Sequence, residues 1–182
     1  MSRINAFELM MKSATQRVKH VIPKKFQQTT SQNSTIEKSK RIHSSNQEQY
    51  ILQFDGGSRG NPGISGCGSV IYYRGNEIWN RSVYLGEDHT NNYAEYYGLI
   101  YGLIGAKQLQ IKNLKVQGDS QIIINQLTGK FKVNSQKLKP LFTKAKKQFQ
   151  HFDNIEFIHI YRNKNKRADE LANIAMDSKT TQ

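Results

Sequence analysis

The chain has 182 residues, enough for one core-forming domain with residues left over. It carries 27 Lys and Arg against 14 Asp and Glu, a formal charge of +13, which favours polyanionic partners without identifying one. No stretch approaches the roughly 18 apolar residues of a membrane span, so we expect no membrane partner. The single cysteine, Cys67, excludes an internal disulfide and favours a reducing, intracellular compartment.

Residues 1–48 are predicted to form a basic, largely unstructured tail, because they hold nine Lys and Arg, three acids and few apolar side chains after residue 26. Two interpretations of this tail stay open. An acid-poor amphipathic start is typical of an organelle transit segment, which leads us to expect a mitochondrial location ahead of nucleus or cytoplasm. A retained tail would instead be an arm that contacts RNA. The apolar residues at helical spacing are Ile4, Phe7, Met11, Ala14, Val18 and Val21.

The folded domain is predicted over residues 49–178, with a short C-terminal tail at 179–182. It begins with runs of β-branched and aromatic residues separated by turn residues, which indicate three strands. Because short links join successive strands, we expect an antiparallel meander. A glycine-rich loop should join the first strand to the second. The three strands are predicted at residues 50–54, 66–73 and 77–85.

The rest of the domain alternates helices with strands. Helix starts are indicated by capping residues, and Pro140 lies in the first turns of the third helix. The βαβ steps predict parallel pairing beside the meander, hence an α/β fold with a mixed sheet and helices on both faces. The predicted elements are a helix capped by Thr90 or Asn91 that runs to about Leu109, a strand at 114–117, a helix at 120–127, a helix capped by Asn134 or Ser135, a strand at 155–161 and a helix at 166–176.

Four carboxylates occupy comparable places in these elements. Asp55 and Asp119 each follow a predicted strand, while Glu95 and Asp169 lie in the first turns of predicted helices. The carboxyl ends of adjacent parallel strands meet at one edge of a sheet, so Asp55 and Asp119 should lie side by side. Each acid alone is more often a turn or cap residue. Together they predict a cation site, because clustered like charges repel unless cations neutralise them.

Four sequence blocks carry these acids: FDGGSRGNPG at 54–63, TNNYAEY at 90–96, GDSQ at 118–121 and NKRADELAN at 165–173. They resemble the signature blocks of type 1 ribonuclease H. The resemblance covers about residues 50–176, with all four blocks in order. It is closest to the archaeal and plant-type form, because only six residues join the second helix to the third, too few for the basic protrusion of bacterial members.

The resemblance implies a ribonuclease H-like three-layer fold with a mixed five-stranded sheet. It implies an endonuclease that hydrolyses the RNA strand of RNA–DNA hybrids, leaving 5′-phosphate and 3′-hydroxyl ends. The metal ligands would be Asp55, Glu95, Asp119 and Asp169, holding two Mg²⁺ ions, with Mn²⁺ able to substitute. Two such ions about 3.5–4 Å apart activate a water and stabilise the leaving oxygen. Hard cations prefer oxygen ligands, and the sequence has no Cys/His cluster that would indicate zinc.

Contacts with the substrate are also implied by the resemblance. Amide side chains both donate and accept hydrogen bonds, which suits them to reading 2′-hydroxyl groups, although Asn91 suits a helix cap equally well. Many members have a histidine in the loop before the last helix. Here Arg162 takes that place and is expected to act on the phosphate or leaving group, while His159 is expected to be a strand-face residue. The predicted contacts are Gly56, Ser58, Arg59, Asn61, Thr90, Asn91, Asn92, Gln126, Lys130 and Lys132.

A second hypothesis belongs to a different class. A ribonuclease H-like fold with a basic arm could be an RNA-binding subunit of a larger ribonucleoprotein, such as a mitochondrial ribosome, with little or no turnover. Its partner would then be structured RNA rather than an RNA–DNA hybrid. As a free enzyme, the chain is expected to be monomeric. Hybrid cleavage with Mg²⁺ would discriminate the enzyme from the subunit.

Overall fold

The computed structural model describes residues 49–179, and in this part of the chain a mixed five-stranded sheet lies between helices on its two faces. The predicted tail at 1–48, including its helix, and residues 180–182 lie outside the described residues. The elements are β1 (Tyr50–Arg59), β2 (Gly63–Tyr73), β3 (Asn76–His89), α1 (Asn91–Gln108), β4 (Asn113–Gly118), α2 (Gln121–Leu127), α3 (Lys139–Phe149), β5 (Asn154–His159) and α4 (Lys166–Asp177).

The sheet has the strand order β3-β2-β1-β4-β5. The first three strands pair antiparallel, as the short links between them require. β1 pairs parallel with β4, and β4 with β5, because helices connect these strands. The predicted fold class, a mixed sheet with helices on both faces, is therefore confirmed.

The side chains of adjacent residues in the central strands point to opposite faces of the sheet and so build two cores. Leu52, Phe54 and Ile71 pack in the larger core, to which α1, α2 and α3 contribute. On the other face, Val70 packs against Ala168 and Leu171 of α4. Most of α1 is buried, which explains why apolar or small residues occupy nearly every side of this helix rather than one stripe.

The first two strands are longer than the sequence indicated. They pair without interruption from Tyr50 opposite Tyr73 to Arg59 opposite Ile64, so the predicted glycine-rich loop belongs mainly to the hairpin strands. The expectation that the first strand ends just before Asp55 is therefore wrong. Glycine is unfavourable in strands unless another backbone approaches closely, and two helices supply such contacts here.

The third helix begins later than predicted. Its first residue is Lys139, and the backbone carbonyl of Ser135 accepts hydrogen bonds from the amides of Leu138 and Lys139 in a preceding turn. Pro140 falls in the first helical turn, where a missing N–H removes no helical hydrogen bond. Among the helices of residues 49–179, none is long and apolar enough to cross a membrane.

Candidate active site

Helix α1 lies in direct backbone contact with β1 beside Asp55. A Cβ atom placed on Gly56 would lie 2.1 Å from the carbonyl carbon of Ala94 and 2.1 Å from the backbone nitrogen of Glu95. On the helix side, a Cβ on Gly98 would lie 2.5 Å from the backbone oxygen of Asp55. The missing side chain of Gly56 admits α1, which brings Glu95 to Asp55.

Helix α4 approaches the opposite face of the sheet at the same level. Gly68 of β2 pairs with Asp55, and a Cβ on Gly68 would lie 2.2 Å from the backbone oxygen of Ala168. The first turns of α4 therefore press against β2 and carry Asp169, the next residue, toward the same edge. Two close backbone approaches, one on each face, thus fix the positions of α1 and α4 around Asp55.

The parallel register places the other pair of acids. β1 and β4 pair from Tyr50 opposite Leu114 to Gln53 opposite Gln117. Asp55 and Asp119 each lie two residues beyond that last pair. Asp55 remains in β1, where it is paired with β2, whereas β4 ends at Gly118. The two strands separate here and leave room for the two carboxylates between them.

Three of the four predicted acids form a compact group. Asp55, Glu95 and Asp119 each offer a carboxylate oxygen, and these oxygens all lie within 4.8 Å of one another. Asp55 is 7% exposed and Glu95 is 9% exposed, so both are withdrawn from water. The Gly56 amide donates to Asp55 Oδ1 at 2.8 Å. Glu95 Oε2 has no hydrogen-bond partner among the described residues.

Burial and mutual repulsion favour the protonated forms of Asp55 and Glu95. Burial, followed by the charge of Asp119, raises the pKa of Asp55 to about 7, although the hydrogen bond from Gly56 opposes the change. Burial and then the charges of Asp55 and Asp119 raise the pKa of Glu95 well above its usual range. A buried carboxylate oxygen without a donor and two acids that resist ionisation fit a site for a hard cation.

Asn165 positions Asp119 and was not singled out from the sequence. Its side chain is fully buried just before α4, and its Nδ2 donates to the backbone oxygen of Phe54 at 2.9 Å and to Asp119 Oδ1 at 3.0 Å. It thus joins β1, the end of β4 and the start of α4. Only its place beside the last signature block could have indicated this role, because a single Asn before a helix is usually interpreted as a cap.

Asp169 lies at the exposed rim of the cleft and outside the compact group. Its Oδ1 accepts a hydrogen bond from Arg162 Nη2 at 2.6 Å, and its Oδ2 accepts one from Asn173 Nδ2 at 3.2 Å. The Asp169 side chain is 29% exposed and the Arg162 side chain 78% exposed. Of the four predicted ligands, three therefore converge, while the fourth faces an arginine across the same cleft.

The cleft has a volume of about 590 Å³ and is lined by all four acids. His159, the last residue of β5, lies on its wall, where Nε2 is 3.2 Å from the backbone oxygen of Asp119. The histidine is a strand residue, but it closes β5 instead of lying inside the predicted strand 155–161, and it borders the acids. Arg162 and the exposed ring of Tyr161 complete this side of the opening.

Several predicted substrate contacts are joined in a network between β1 and α1. The backbone amide of Ser58 donates to Asn91 Oδ1 at 2.6 Å, and the backbone amide of Asn91 donates to Asn61 Oδ1 at 2.9 Å. Thr90 is the N-cap of α1, with Oγ1 accepting from the Tyr93 amide at 3.4 Å. Asn92 lies with Asn61, Thr90 and Asn91 along a second cavity of about 830 Å³. The bonds to Ser58 and Asn91 use the Oδ1 atoms of Asn91 and Asn61, so the side-chain NH₂ groups of the two asparagines take no part in them.

The remaining predicted contacts differ in their surroundings. Arg59 lines the cleft but forms an ion pair with Asp177 at 2.6 Å. Gln126 is 8% exposed, and its Oε1 accepts a hydrogen bond from the Tyr96 hydroxyl at 2.7 Å, which places it in the core. Lys130 and Lys132 are exposed in the link between α2 and α3.

Comparison with known proteins agrees with this geometry. A family model described as reverse transcriptase-like matches residues 53–175. Ribonuclease HI of Halobacterium salinarum is 36% identical over 132 residues, which cover 68% of this chain and 62% of the relative. The chain belongs to the type 1 ribonuclease H family.

Two further similarities bear on the extent of the match. The bifunctional protein Rv2228c of Mycobacterium tuberculosis is 37% identical over 136 residues, covering 71% of this chain but only 36% of that relative, so the chain spans about a third of its length. The crystal structure of LC11-RNase H1 in complex with an RNA/DNA hybrid matches with a TM-score of 0.69 and 39% identity, covering 72% of this chain and 99% of that chain.

Proposed function

We propose that the domain is an endoribonuclease that hydrolyses the RNA strand of RNA–DNA hybrids, with Mg²⁺ as its metal. The observation that carries this proposal is the convergence of Asp55, Glu95 and Asp119, whose oxygens lie within 4.8 Å of one another. Membership of the type 1 ribonuclease H family supports it, as does the relative whose structure holds an RNA/DNA hybrid. The products would carry 5′-phosphate and 3′-hydroxyl ends.

The residues that would hold the metal are Asp55, Glu95 and Asp119, with Asp169 joining them for a second ion. Bound divalent cations lower the pKa of a water and stabilise charge on the leaving oxygen in phosphodiester hydrolysis. Glu95 presents an oxygen that no donor among the described residues satisfies. Asn165 holds Asp119 in place through Oδ1, which leaves the other Asp119 oxygen for a ligand.

The rim residues would act on the substrate. Arg162 has an exposed guanidinium beside the acids, from which it could contact the scissile phosphate or the leaving group. Ser58, Asn61, Thr90, Asn91 and Asn92 lie around the junction of β1 and α1, where amide groups and exposed backbone could read 2′-hydroxyl groups. Lys130 and Lys132 would contact phosphates, because they are exposed in a link without acids.

An RNA-binding subunit without turnover is the less favoured alternative. Burying Asp55 and Glu95 side by side raises the free energy of the folded chain, since both acids resist ionisation there. A protein that only binds RNA gains nothing from this cost. An enzyme gains a site for divalent cations from the same buried acids, so these acids support catalysis over binding alone.

Incubation of the purified full chain with end-labelled hybrid, RNA duplex and DNA duplex tests the proposal. We expect cleavage of the RNA strand of the hybrid alone, dependent on Mg²⁺ and lost in Asp119→Asn. Asp153→Asn is the matched control, because Asp153 is an exposed acid in the link before β5. Absence of hybrid cleavage with Mg²⁺ or Mn²⁺, together with co-sedimentation with ribosomal particles, would overturn the proposal in favour of the subunit.

A further inference from the structure

Among the residues that the structure describes, Asp169 is the one of the four acids with donors on both carboxylate oxygens. Arg162 Nη2 donates to Oδ1 at 2.6 Å, and Asn173 Nδ2 donates to Oδ2 at 3.2 Å. Glu95, in contrast, has an oxygen without any partner among residues 49–179. A cation entering between Asp55, Glu95 and Asp119 would therefore meet oxygens that face one another, whereas a cation that uses Asp169 must compete with a guanidinium.

The position of Asp169 is fixed by packing rather than by this ion pair. The preceding residue, Ala168, is fully buried, and its backbone oxygen contacts β2 at Gly68. Asn173 Nδ2, one helical turn later on α4, donates to the backbone oxygen of Asp169 at 2.9 Å and to its Oδ2 at 3.2 Å. The carboxylate would therefore stay at the cleft if Arg162 moved away.

Arg162 is free to move in a way that Asp169 is not. It begins a three-residue 3₁₀ turn, Arg162–Lys164, and its side chain is 78% exposed. Exposed ion pairs contribute little net stability, because water solvates both partners when they separate. A divalent cation carries twice the charge of a guanidinium and binds carboxylate oxygens directly, so it can replace Arg162 at Oδ1.

We propose that Arg162 is an internal counter-ion for Asp169, so that divalent cations bind the chain in two unequal steps. The first ion binds between Asp55, Glu95 and Asp119 without displacing a protein group. The second step exchanges the Arg162 guanidinium for an ion at Asp169. The exchange also frees Arg162 to turn toward the substrate phosphate. Arg162 thus becomes available as a positioning residue when the metal site is complete. The inference rests on the proposed function, since it concerns the same site.

Calorimetric titration of the full chain with Mn²⁺ alone, without nucleic acid, tests this proposal. The wild-type chain should show a tighter and a weaker binding step. Arg162→Ala should strengthen the weaker step by about 2- to 5-fold, the range expected when an exposed ion pair no longer competes. The tighter step should change by less. Arg162 is exposed, so the variant should fold, and its thermal unfolding verifies this.

Arg59→Ala is the matched control. Arg59 lines the same cleft and is also paired with a carboxylate, but its partner, Asp177, is not one of the four acids. Its removal takes the same charge from the cleft without releasing a ligand, so the weaker step should stay within about 2-fold of the wild type. Equal strengthening in both variants would overturn the proposal, because it would reveal a general charge effect.

Asp169→Asn provides the second control. This variant should lose the weaker step, and adding Arg162→Ala to it should change nothing further. A single binding step in the wild type, an unchanged weaker step in Arg162→Ala, or a gain that persists in the Asp169→Asn background would each contradict the proposal. Failure of the proposed function would be distinguishable from failure of this inference. A chain that does not cleave hybrid would still show the two Mn²⁺ binding steps and their dependence on Arg162.

Discussion

The two halves of the cleft are built on different principles. The inner half, Asp55, Glu95 and Asp119, is held by backbone contacts of α1 with β1 and by the parallel register of β1 and β4. In the outer half, the packing of α4 against β2 positions Asp169, and an ion pair with Asp169 holds the exposed side chain of Arg162. Close packing fixes the inner acids where their charges repel, whereas the outer acid has its own counter-charge.

This difference separates two requirements of a metal site. Rigid placement of acids needs a surrounding core that overrides their repulsion, and the folded state is less stable as a result. Adjustable placement of a charged side chain needs solvent exposure and weak bonds. The inner half therefore should respond strongly to changes in packing and pH, and the outer half weakly.

The largest effect is expected from Gly56→Ala. The added Cβ would overlap the backbone of Ala94 and Glu95, so α1 must shift from β1, at a cost of about 3 kcal/mol or more in the free energy of unfolding. Hybrid cleavage should fall with it, because Glu95 moves. Gly57→Ala is the control, since its Cβ meets only the flexible end of Met176 at 3.0 Å. Urea unfolding measures both, and equal losses would contradict the packing argument.

Asp55→Asn should stabilise the metal-free chain at pH 8. The pKa of Asp55 rises on folding from 3.8 to about 7, so the folded state binds the extra proton and its stability falls as the pH rises through this range. The neutral amide removes a penalty on the order of 2–4 kcal/mol at pH 8, and the gain should shrink at pH 4.

Urea unfolding in EDTA at the two pH values measures this prediction. Asp153→Asn, at an exposed position, should change the free energy of unfolding by less than about 0.5 kcal/mol at either pH. A destabilised Asp55→Asn at pH 8, or an equal gain at both pH values, would argue that Asp55 is ionised at little cost in the folded chain.

Asn165→Ala should destabilise the chain by about 1–3 kcal/mol, because it removes two buried hydrogen bonds and leaves the Phe54 oxygen unsatisfied. Its turnover with hybrid should fall more than its affinity for hybrid, since Asp119 loses the donor that orients it. Asn173→Ala, at the rim, should cost less than about 1 kcal/mol. Similar costs for the two variants would remove the distinction between the halves.

The smallest effect is expected from the outer lysines. Replacing Lys130 and Lys132 together by Ala should weaken hybrid binding about 3- to 10-fold at 0.1 M salt and reduce its salt dependence, with turnover at saturation unchanged. Lys107 and Lys112, exposed near the opposite end of the domain, are the matched control pair. Fluorescence anisotropy at several salt concentrations measures both, and an unchanged salt slope would remove the two lysines from the interface.

The sequence predicted the order of elements and the convergence of Asp55 with Asp119, because strand ends and βαβ steps have local signals. It did not predict that Gly56 is a strand residue, nor that Gly56 and Gly68 admit close backbone contacts with helices. Their role depends on Ala94 and Ala168, which are distant in the sequence, and glycine by itself indicates a turn as readily as a close contact. The burial of Gln126 escaped prediction for the same reason, since its partner, the Tyr96 hydroxyl, lies on another helix.

The pairing of Asp169 with Arg162 was also beyond the sequence. Both residues were expected at the site, but their distance depends on how the 3₁₀ turn directs a long side chain, and no periodicity encodes that. Asn165 has no alternating or helical pattern around it and reveals its role only through contacts with β1 and β4. Local patterns and the family resemblance thus indicated the four acids, while tertiary packing determined which of them lie together.

The central claim is that Asp55, Glu95 and Asp119 share a divalent cation. Anomalous diffraction from crystals of the protein soaked in Mn²⁺ tests it most directly. The account predicts the strongest peak between these three carboxylates, within bonding distance of an oxygen from each, and loss of that peak in Glu95→Gln crystals. A saturating soak that leaves this position without a peak, or a peak bound by other residues in place of Glu95, would contradict the account.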